Sequence, residues 1–220
     1  MSTPRGFSST VAHRLGAAGE PDFYPTPPWA ARAGGELIAT LDPDIRVRAI
    51  VCWEPACGAG HMAHGLRDYF YRVAVSDAYS YGDNPIFDFT SDAPVPHRVG
   101  WIVTNPPFGH VETFIRRAWA RADRGVAMLC RLALLETIDR HRLLYRDCPL
   151  AVVAPFAERV CMTKGRWEPE GSTASAYAWF VWLKPGMPRP APEPVVRPIP
   201  PGTMARLSRP TDEAFAARAA

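Results

Sequence analysis

The chain has no apolar run approaching the roughly 18 to 20 residues that cross a bilayer, and its opening stretch, MSTPRGFSSTVAHRLGAAGE, contains no apolar core of the secretory type. Five cysteines are present, an odd number, with no CxxC pair and no histidine at metal-ligand spacing. These absences argue against a membrane span, an exported disulfide framework and a metal site, and the expected protein is cytoplasmic with reduced thiols. Charge of one sign is scarce as well. The 25 basic residues stand against 22 acidic ones, a net charge of +3, which permits a polyanionic partner without arguing for one. At 220 residues and 47% hydrophobic composition, the chain fills one sizeable core and not two plus linkers.

Proline is what the chain has in quantity, 24 of them, and they are concentrated late. From Pro185 the sequence runs PGMPRPAPEPVVRPIPPG, a spacing that prevents helix and sheet and leaves an extended polyproline-like segment, followed by a helical-looking TDEAFAARAA. A disordered tail is the plain interpretation, and a docking strap or partner ligand the other. The small, polar, aperiodic residues 1–20 are expected to be a second, flexible tail. The organisation is therefore an N-terminal tail at 1–20, one catalytic-size domain at 21–184 and a proline-rich tail at 185–220.

Between the tails, apolar runs alternate with helical patterns. Strands are expected near residues 50–53, 72–75, 101–104, 126–130, 151–153 and 176–183, and helices near 61–70, 111–121 and 136–145. Such alternation implies parallel pairing through right-handed crossovers. The expected fold is α/β: a Rossmann-like, doubly wound, mostly parallel sheet in a single domain. Its last strand follows another without a long helix between them and is expected to pair antiparallel. Ligands in such sheets bind beyond the carboxyl ends of the strands.

The first such end carries EPACGAG, residues Glu54, Pro55, Ala56, Cys57, Gly58, Ala59 and Gly60. Gly58 and Gly60 allow a tight turn and a close approach to a ligand, and with Ala63 they fit the G-x-G-x-x-[GA] pattern. That pattern alone also describes an ordinary strand-to-helix turn. Asp77, at the end of the next strand, lies about where an acidic side chain accepts hydrogen bonds from ribose hydroxyls, although a strand-end turn residue looks the same. Glu54 adds a second carboxylate at the same mouth, which repels a pyrophosphate and favours a cationic or amine-bearing ligand. S-adenosylmethionine, with a sulfonium, an α-amine and a ribose, suits those charges better than NAD.

The second such end is VTNPPFGH, residues 103–110. Pro106 and Pro107 cannot donate to a central ladder, so they lie just past the strand, where they fix the backbone. Together, EPACGAG and TNPPF resemble the amino-group branch of class I S-adenosylmethionine-dependent methyltransferases. The likeness is closest to adenine-specific DNA methyltransferases with an NPP[YF] motif, and more loosely to the short enzymes of phages and prophages, and it spans roughly residues 24–183. It implies S-adenosylmethionine as cofactor and DNA as partner, with RNA as the alternative.

The resemblance also implies roles. The Asn105 side-chain oxygen and the Pro106 carbonyl would accept the hydrogens of a planar amine, Pro107 would hold that backbone, and Phe108 would stack on an extruded base. Two acceptors pull the amine hydrogens out of plane and localise its lone pair, so positioning and electrostatics carry the transfer. Tyr24, Thr26 and Pro27 are similar to the segment that packs over the cofactor's methionine moiety, with a helix starting near Pro28. Asp88 and Phe89, at the end of a short further strand, are similar to the pair that flanks the cofactor's adenine, and RLALLE, residues 131–136, to a wall of the cofactor pocket. Lys164, Arg166 and Trp167 lie in a long glycine-bearing stretch that suits a mobile substrate loop, or a plain surface loop. Arginines 116, 117, 121 and 124 are expected on one helix, as a solvated face or a nucleic-acid track.

One departure stands out. Nothing between residues 150 and 183 is large enough for a separate target-recognition domain, which puts strict sequence specificity in doubt. RNA adenine and a protein glutamine amide remain alternative substrates. Beyond methyl transfer, the alternatives are a catalytically silent nucleic-acid-binding module and a NAD-linked oxidoreductase; the latter leaves NPPF unexplained.

Overall fold

A computed structural model describes residues 22–94, 99–171 and 173–216; the expected N-terminal tail lies outside them. The six expected strands form as β1 (Val51–Glu54), β2 (Arg72–Val75), β3 (Val99–Thr104), β4 (Ala122–Arg131), β5 (Leu150–Pro155) and β6 (Tyr177–Leu183). A seventh, β7 (Val195–Val196), joins them in the order β2-β1-β3-β4-β6-β5-β7. β2, β1, β3 and β4 run parallel, β6 is antiparallel to both neighbours, and β7 is parallel to β5. This is the mostly parallel α/β sheet with an antiparallel last long strand that the alternation predicts.

Strand side chains alternate between two buried layers, as the two-residue period of a pleated strand requires. Tyr177, Trp179, Val181 and Leu183 of β6 face one layer, with α1 (Pro28–Leu41) and α2 (His61–Leu66). Ala178, Phe180 and Trp182 face the other, with α3 (Val111–Arg121). The first layer is closed by contacts that tolerate little change: the Trp179 indole donates to the Ala30 carbonyl of α1 at 3.0 Å, and a Cβ on Gly34 would run into that indole. At the amino ends of the strands, buried Asp42 accepts from the Trp101 indole at 2.8 Å and from the Arg124 guanidinium. Arg124 therefore stands on β4 and braces the sheet, rather than on the helix with the other three arginines.

Two further elements differ from expectation. The helix expected at 136–145 is α4 (Ile138–Arg142) followed by a π-helical turn, Leu143–Asp147. The short strand expected before Asp88 is reduced to one bridge between Asp77 and Ile86.

The segment from Pro185 to residue 216 differs most from the disordered tail expected on composition. Val195 and Val196 pair with Val152 and Val153, where an edge position leaves flanking prolines outside the ladder. Two short helices follow, α5 (Thr203–Leu207) and α6 (Glu213–Ala216). Arg32 of α1, 1% exposed, forms a two-pronged pair with Asp212 at 2.7 and 2.8 Å, bonds Asp68 at 2.6 Å and donates to the Leu207 carbonyl. That network binds the segment to α1 and to the turn after α2.

Candidate active site

Beyond the carboxyl ends of β1, β2 and β3 lies a cavity of about 300 Å³ that gathers most of the expected site residues. Glu54 ends β1, Asp77 follows β2 and Asn105 follows β3, so parallel pairing alone brings three distant chain positions to one mouth.

The glycine loop is held in shape by β2. Ser76 donates its N–H to the Glu54 carbonyl at 3.0 Å, and Cys57 donates its N–H to the Ser76 carbonyl at 3.0 Å. Gly58 and Gly60 adopt φ of +48° and +85°, the left-handed region that glycine enters without a Cβ clash. At Gly58 a second constraint applies, since a Cβ there would collide with the Phe23 ring. The Gly58 N–H donates to Asp77 Oδ2 at 2.8 Å, and the Tyr79 N–H to Oδ1 at 3.0 Å.

Four carboxylates line the cavity: Asp22, which binds the Phe108 N–H, and three in contrasting environments. Glu54 is 2% exposed, and its Oε2 is buried with no hydrogen-bond partner. Burial, followed by the nearby Asp77 charge, pushes its carboxyl well above the usual range. Burial also raises Asp77, against the backbone N–H donors that favour its charge. Asp88 is held below the ordinary carboxylate value by the Thr90 hydroxyl, which donates to Oδ1 at 2.6 Å. Phe89 packs edge-on against Trp53, with ring centres 5.2 Å apart.

Asn105 has a fixed orientation. Its Nδ2 donates to the Tyr24 carbonyl at 3.0 Å and touches Met162 Sδ at 3.5 Å. A carbonyl only accepts, so the nitrogen must face Tyr24 and the oxygen must face away. That Oδ1 is buried and partnerless. The Pro107 carbonyl accepts from the His110 N–H at 3.0 Å, while the Pro106 carbonyl accepts no hydrogen bond among the described residues. Phe108 lies between Tyr24, 5.0 Å away at a 48° tilt, and the Arg131 guanidinium, 3.9 Å from its ring centre. Its N–H is bound by Asp22 at 2.8 Å.

Of the expected site residues, Tyr24, Thr26, Glu54, Pro55, Ala56, Cys57, Gly58, Asp77, Asp88, Phe89, Asn105, Pro106, Pro107 and Phe108 line the cavity. Pro27 and Gly60 stand behind it: the Pro27 carbonyl starts α1 by accepting from Ala30 at 2.9 Å, and Gly60 precedes α2. Of the four expected substrate residues, Phe108 lines the cavity, and Lys164, Arg166 and Trp167 do not. Trp167 is buried and meets His61 edge-on at 6.4 Å, so it offers no exposed aromatic surface. Lys164 and Arg166 are exposed, and Arg166 bonds Glu168 at 2.7 Å. Their loop is nevertheless tied to the cavity wall, because the Gly165 N–H donates to the Phe23 carbonyl at 2.9 Å.

Phe23, His61 and Tyr81, not among the expected site residues, also stand on the cavity wall. Phe23 and Tyr81 pack with ring centres 4.8 Å apart. The available signals were the aromatic next to Tyr24 in DFYPTPP and the tyrosine pair in AYSYGDN after Asp77.

No protein-family model and no curated protein matches the sequence. Solved structures do share its fold. The methyltransferase subunit of a type I restriction–modification system from Streptococcus thermophilus is 9% identical with a TM-score of 0.61, over 90% of this chain and 54% of that one. A candidate class I S-adenosylmethionine-dependent methyltransferase from Listeria monocytogenes is 11% identical with a TM-score of 0.58, over 86% and 68% of the two chains. A candidate RNA methyltransferase from Pyrococcus horikoshii is 14% identical with a TM-score of 0.52, over 70% and 83%. The chain thus has the Rossmann-like fold of class I S-adenosylmethionine-dependent methyltransferases and spans about half the length of the restriction–modification subunit. Among the described residues, no helix is long and apolar enough to cross a membrane.

Proposed function

We propose that the chain transfers a methyl group from S-adenosylmethionine to the exocyclic amino group of adenine in DNA. The observation that carries this is Asn105 Oδ1: a buried acceptor at the cavity with no partner, held in that direction by the bond from Nδ2 to Tyr24. An unpaired buried acceptor costs about 1–3 kcal/mol, a cost that an incoming N–H donor relieves. DNA is the polymer that the TNPPF resemblance implies, and the fold is shared with a restriction–modification methyltransferase subunit.

The cavity fits the cofactor by charge. Glu54, with its own partnerless buried oxygen, would take the α-amine; Asp77 would take the ribose hydroxyls; Asp88 and Phe89 would take the adenine. When bound, S-adenosylmethionine supplies an electrophilic methyl group. The remaining work belongs to the chain. Asn105 Oδ1 and the Pro106 carbonyl accept the two amine hydrogens and turn the nitrogen lone pair out of conjugation, while Pro106 and Pro107 fix the carbonyl's direction. Phe108, braced by Tyr24 and Arg131, limits where the base plane can lie. No strong base is needed before transfer, since the proton becomes acidic only once the nitrogen carries the methyl group and is then lost to water.

The test is transfer of a labelled methyl group to duplex DNA, single-stranded DNA, RNA and protein extract, with nucleoside digestion. N6-methyladenine from DNA is the expected product. Label confined to RNA or protein would replace the substrate and retain the amine chemistry. No label anywhere, despite cofactor binding, would overturn the enzymatic assignment.

A further inference from the structure

Arg131 is the last residue of β4, at the carboxyl edge of the sheet, and its guanidinium stacks 3.9 Å from the centre of the Phe108 ring. Its charge balance differs from that of several other arginines. Arg116 faces Asp147, Arg117 faces Asp92, Arg124 faces Asp42 and Arg140 faces Glu112. Arg131 faces no carboxylate among the described residues, and its Nε is buried without a hydrogen-bond partner. A buried N–H without an acceptor costs free energy until an acceptor completes it, and a charged group completes it most strongly. The ring beneath it holds the planar fork in place, the arrangement suited to a two-pronged grip on phosphate.

Resting on the proposed adenine transfer, we propose that Arg131 is a substrate-binding residue that grips a backbone phosphate flanking the target adenine. Phe108 and Arg131 then act as a pair. The ring locates the base plane, and the guanidinium stacked on it fixes the sugar–phosphate at one side of the same nucleotide. The site thereby gains a register mark at the reaction centre. The anchor acts on any sequence, because phosphate contacts position without specifying.

The experiment compares the wild-type protein with Arg131→Met, which keeps an apolar stem over Phe108, and Arg131→Lys, which keeps the charge without the fork. Methyl transfer to a duplex oligonucleotide is followed across a salt series, and again with single methylphosphonates replacing the phosphates on either side of the target adenine. The expected result is a KM for DNA at least tenfold higher in Arg131→Met, with the slope of log(kcat/KM) against log[salt] shallower by about 0.9, the value for one duplex phosphate. The slope is retained in Arg131→Lys, and the S-adenosylhomocysteine melting shift is unchanged in both. One flanking methylphosphonate should weaken the wild type by a similar factor and Arg131→Met hardly at all.

A raised KM with an unchanged salt slope would reduce Arg131 to packing on Phe108 and overturn the proposal. So would wild-type indifference to both methylphosphonates, a result that needs no variant to fold. Failure of the adenine-transfer assignment is read separately, as wild-type protein that labels no nucleic acid, and it overturns the phosphate grip with it.

Discussion

Asn105 and Tyr24, 81 positions apart in sequence, are joined by a 3.0 Å hydrogen bond from the asparagine amide to the tyrosine carbonyl. The bond decides the chemistry of the other end of the amide, because donating on one side leaves an acceptor on the cavity side.

Asn105→Ala is expected to lower kcat by about 100-fold or more, the scale for removing one oriented group at a reacting centre, and to leave S-adenosylhomocysteine binding intact. Asn105→Asp should fail similarly, since a carboxylate cannot donate to the Tyr24 carbonyl. Turnover and ligand-induced melting shifts, measured side by side, check both; loss of ligand binding in a folded Asn105→Ala protein would move this residue to the cofactor's side of the cavity.

Glu54 predicts a pH dependence of stability. Burial, then the Asp77 charge, raises its carboxyl above the ordinary 4.5. Above that pH the unfolded chain has released a proton that the folded one still holds, so Glu54's contribution to stability falls as pH rises through its folded value. Glu54→Gln removes that contribution. The ligand-free variant should melt higher than wild type at pH 8, with less difference at pH 5, and should bind S-adenosylhomocysteine at least tenfold more weakly. Melting curves at the two pH values, with and without ligand, decide it.

Asp212 is buried with Arg32, and its carboxyl lies below the ordinary 3.8: burial opposes the shift, and the bonds from Arg32 and the Arg209 N–H, with the Arg32 charge, together outweigh it. The stability it contributes is present above that pH and lost as pH falls through its folded value. Asp212→Asn leaves the Arg32 charge with Asp68 alone, at a cost of about 1–3 kcal/mol for the weakened buried hydrogen bonds. Urea titration at pH 7 gives the loss, and the deficit relative to wild type should shrink in acid.

Gly58 and Gly60 separate two causes of strain. Both have positive φ, but an added Cβ meets the Phe23 ring at Gly58 and nothing at Gly60. Gly60→Ala should cost about 1–2 kcal/mol from backbone alone. Gly58→Ala should cost more and weaken S-adenosylhomocysteine binding further, as melting with and without ligand would show.

Much of this architecture is written locally. The central strands carry apolar runs, residues 126–130 of β4 and all of β6, because both sheet faces are covered there, and α1 begins at Pro28, where a proline pair marks its start. EPACGAG and TNPPF are short enough to recognise and fall at strand ends. What escaped has no local signature. The Arg32–Asp212 pair looks like two unrelated surface charges until the fold brings them together. β7 has only two paired residues in a proline-rich stretch whose composition argues against any strand. Trp167 resembles an exposed loop aromatic because its partner, His61, is distant in sequence.

The Arg32–Asp212 bond also has a meaning in time. It spans 180 residues, and closures between distant chain positions come late because their entropy must be lost before the contact forms. On a ribosome adding about 5–20 residues per second, Arg32 leaves the machinery roughly ten to forty seconds before Asp212. Through that interval Asp68, made 36 residues after Arg32, is the carboxylate at hand, and the other prong of the guanidinium waits for the late segment, so α1 is among the last elements to be finished.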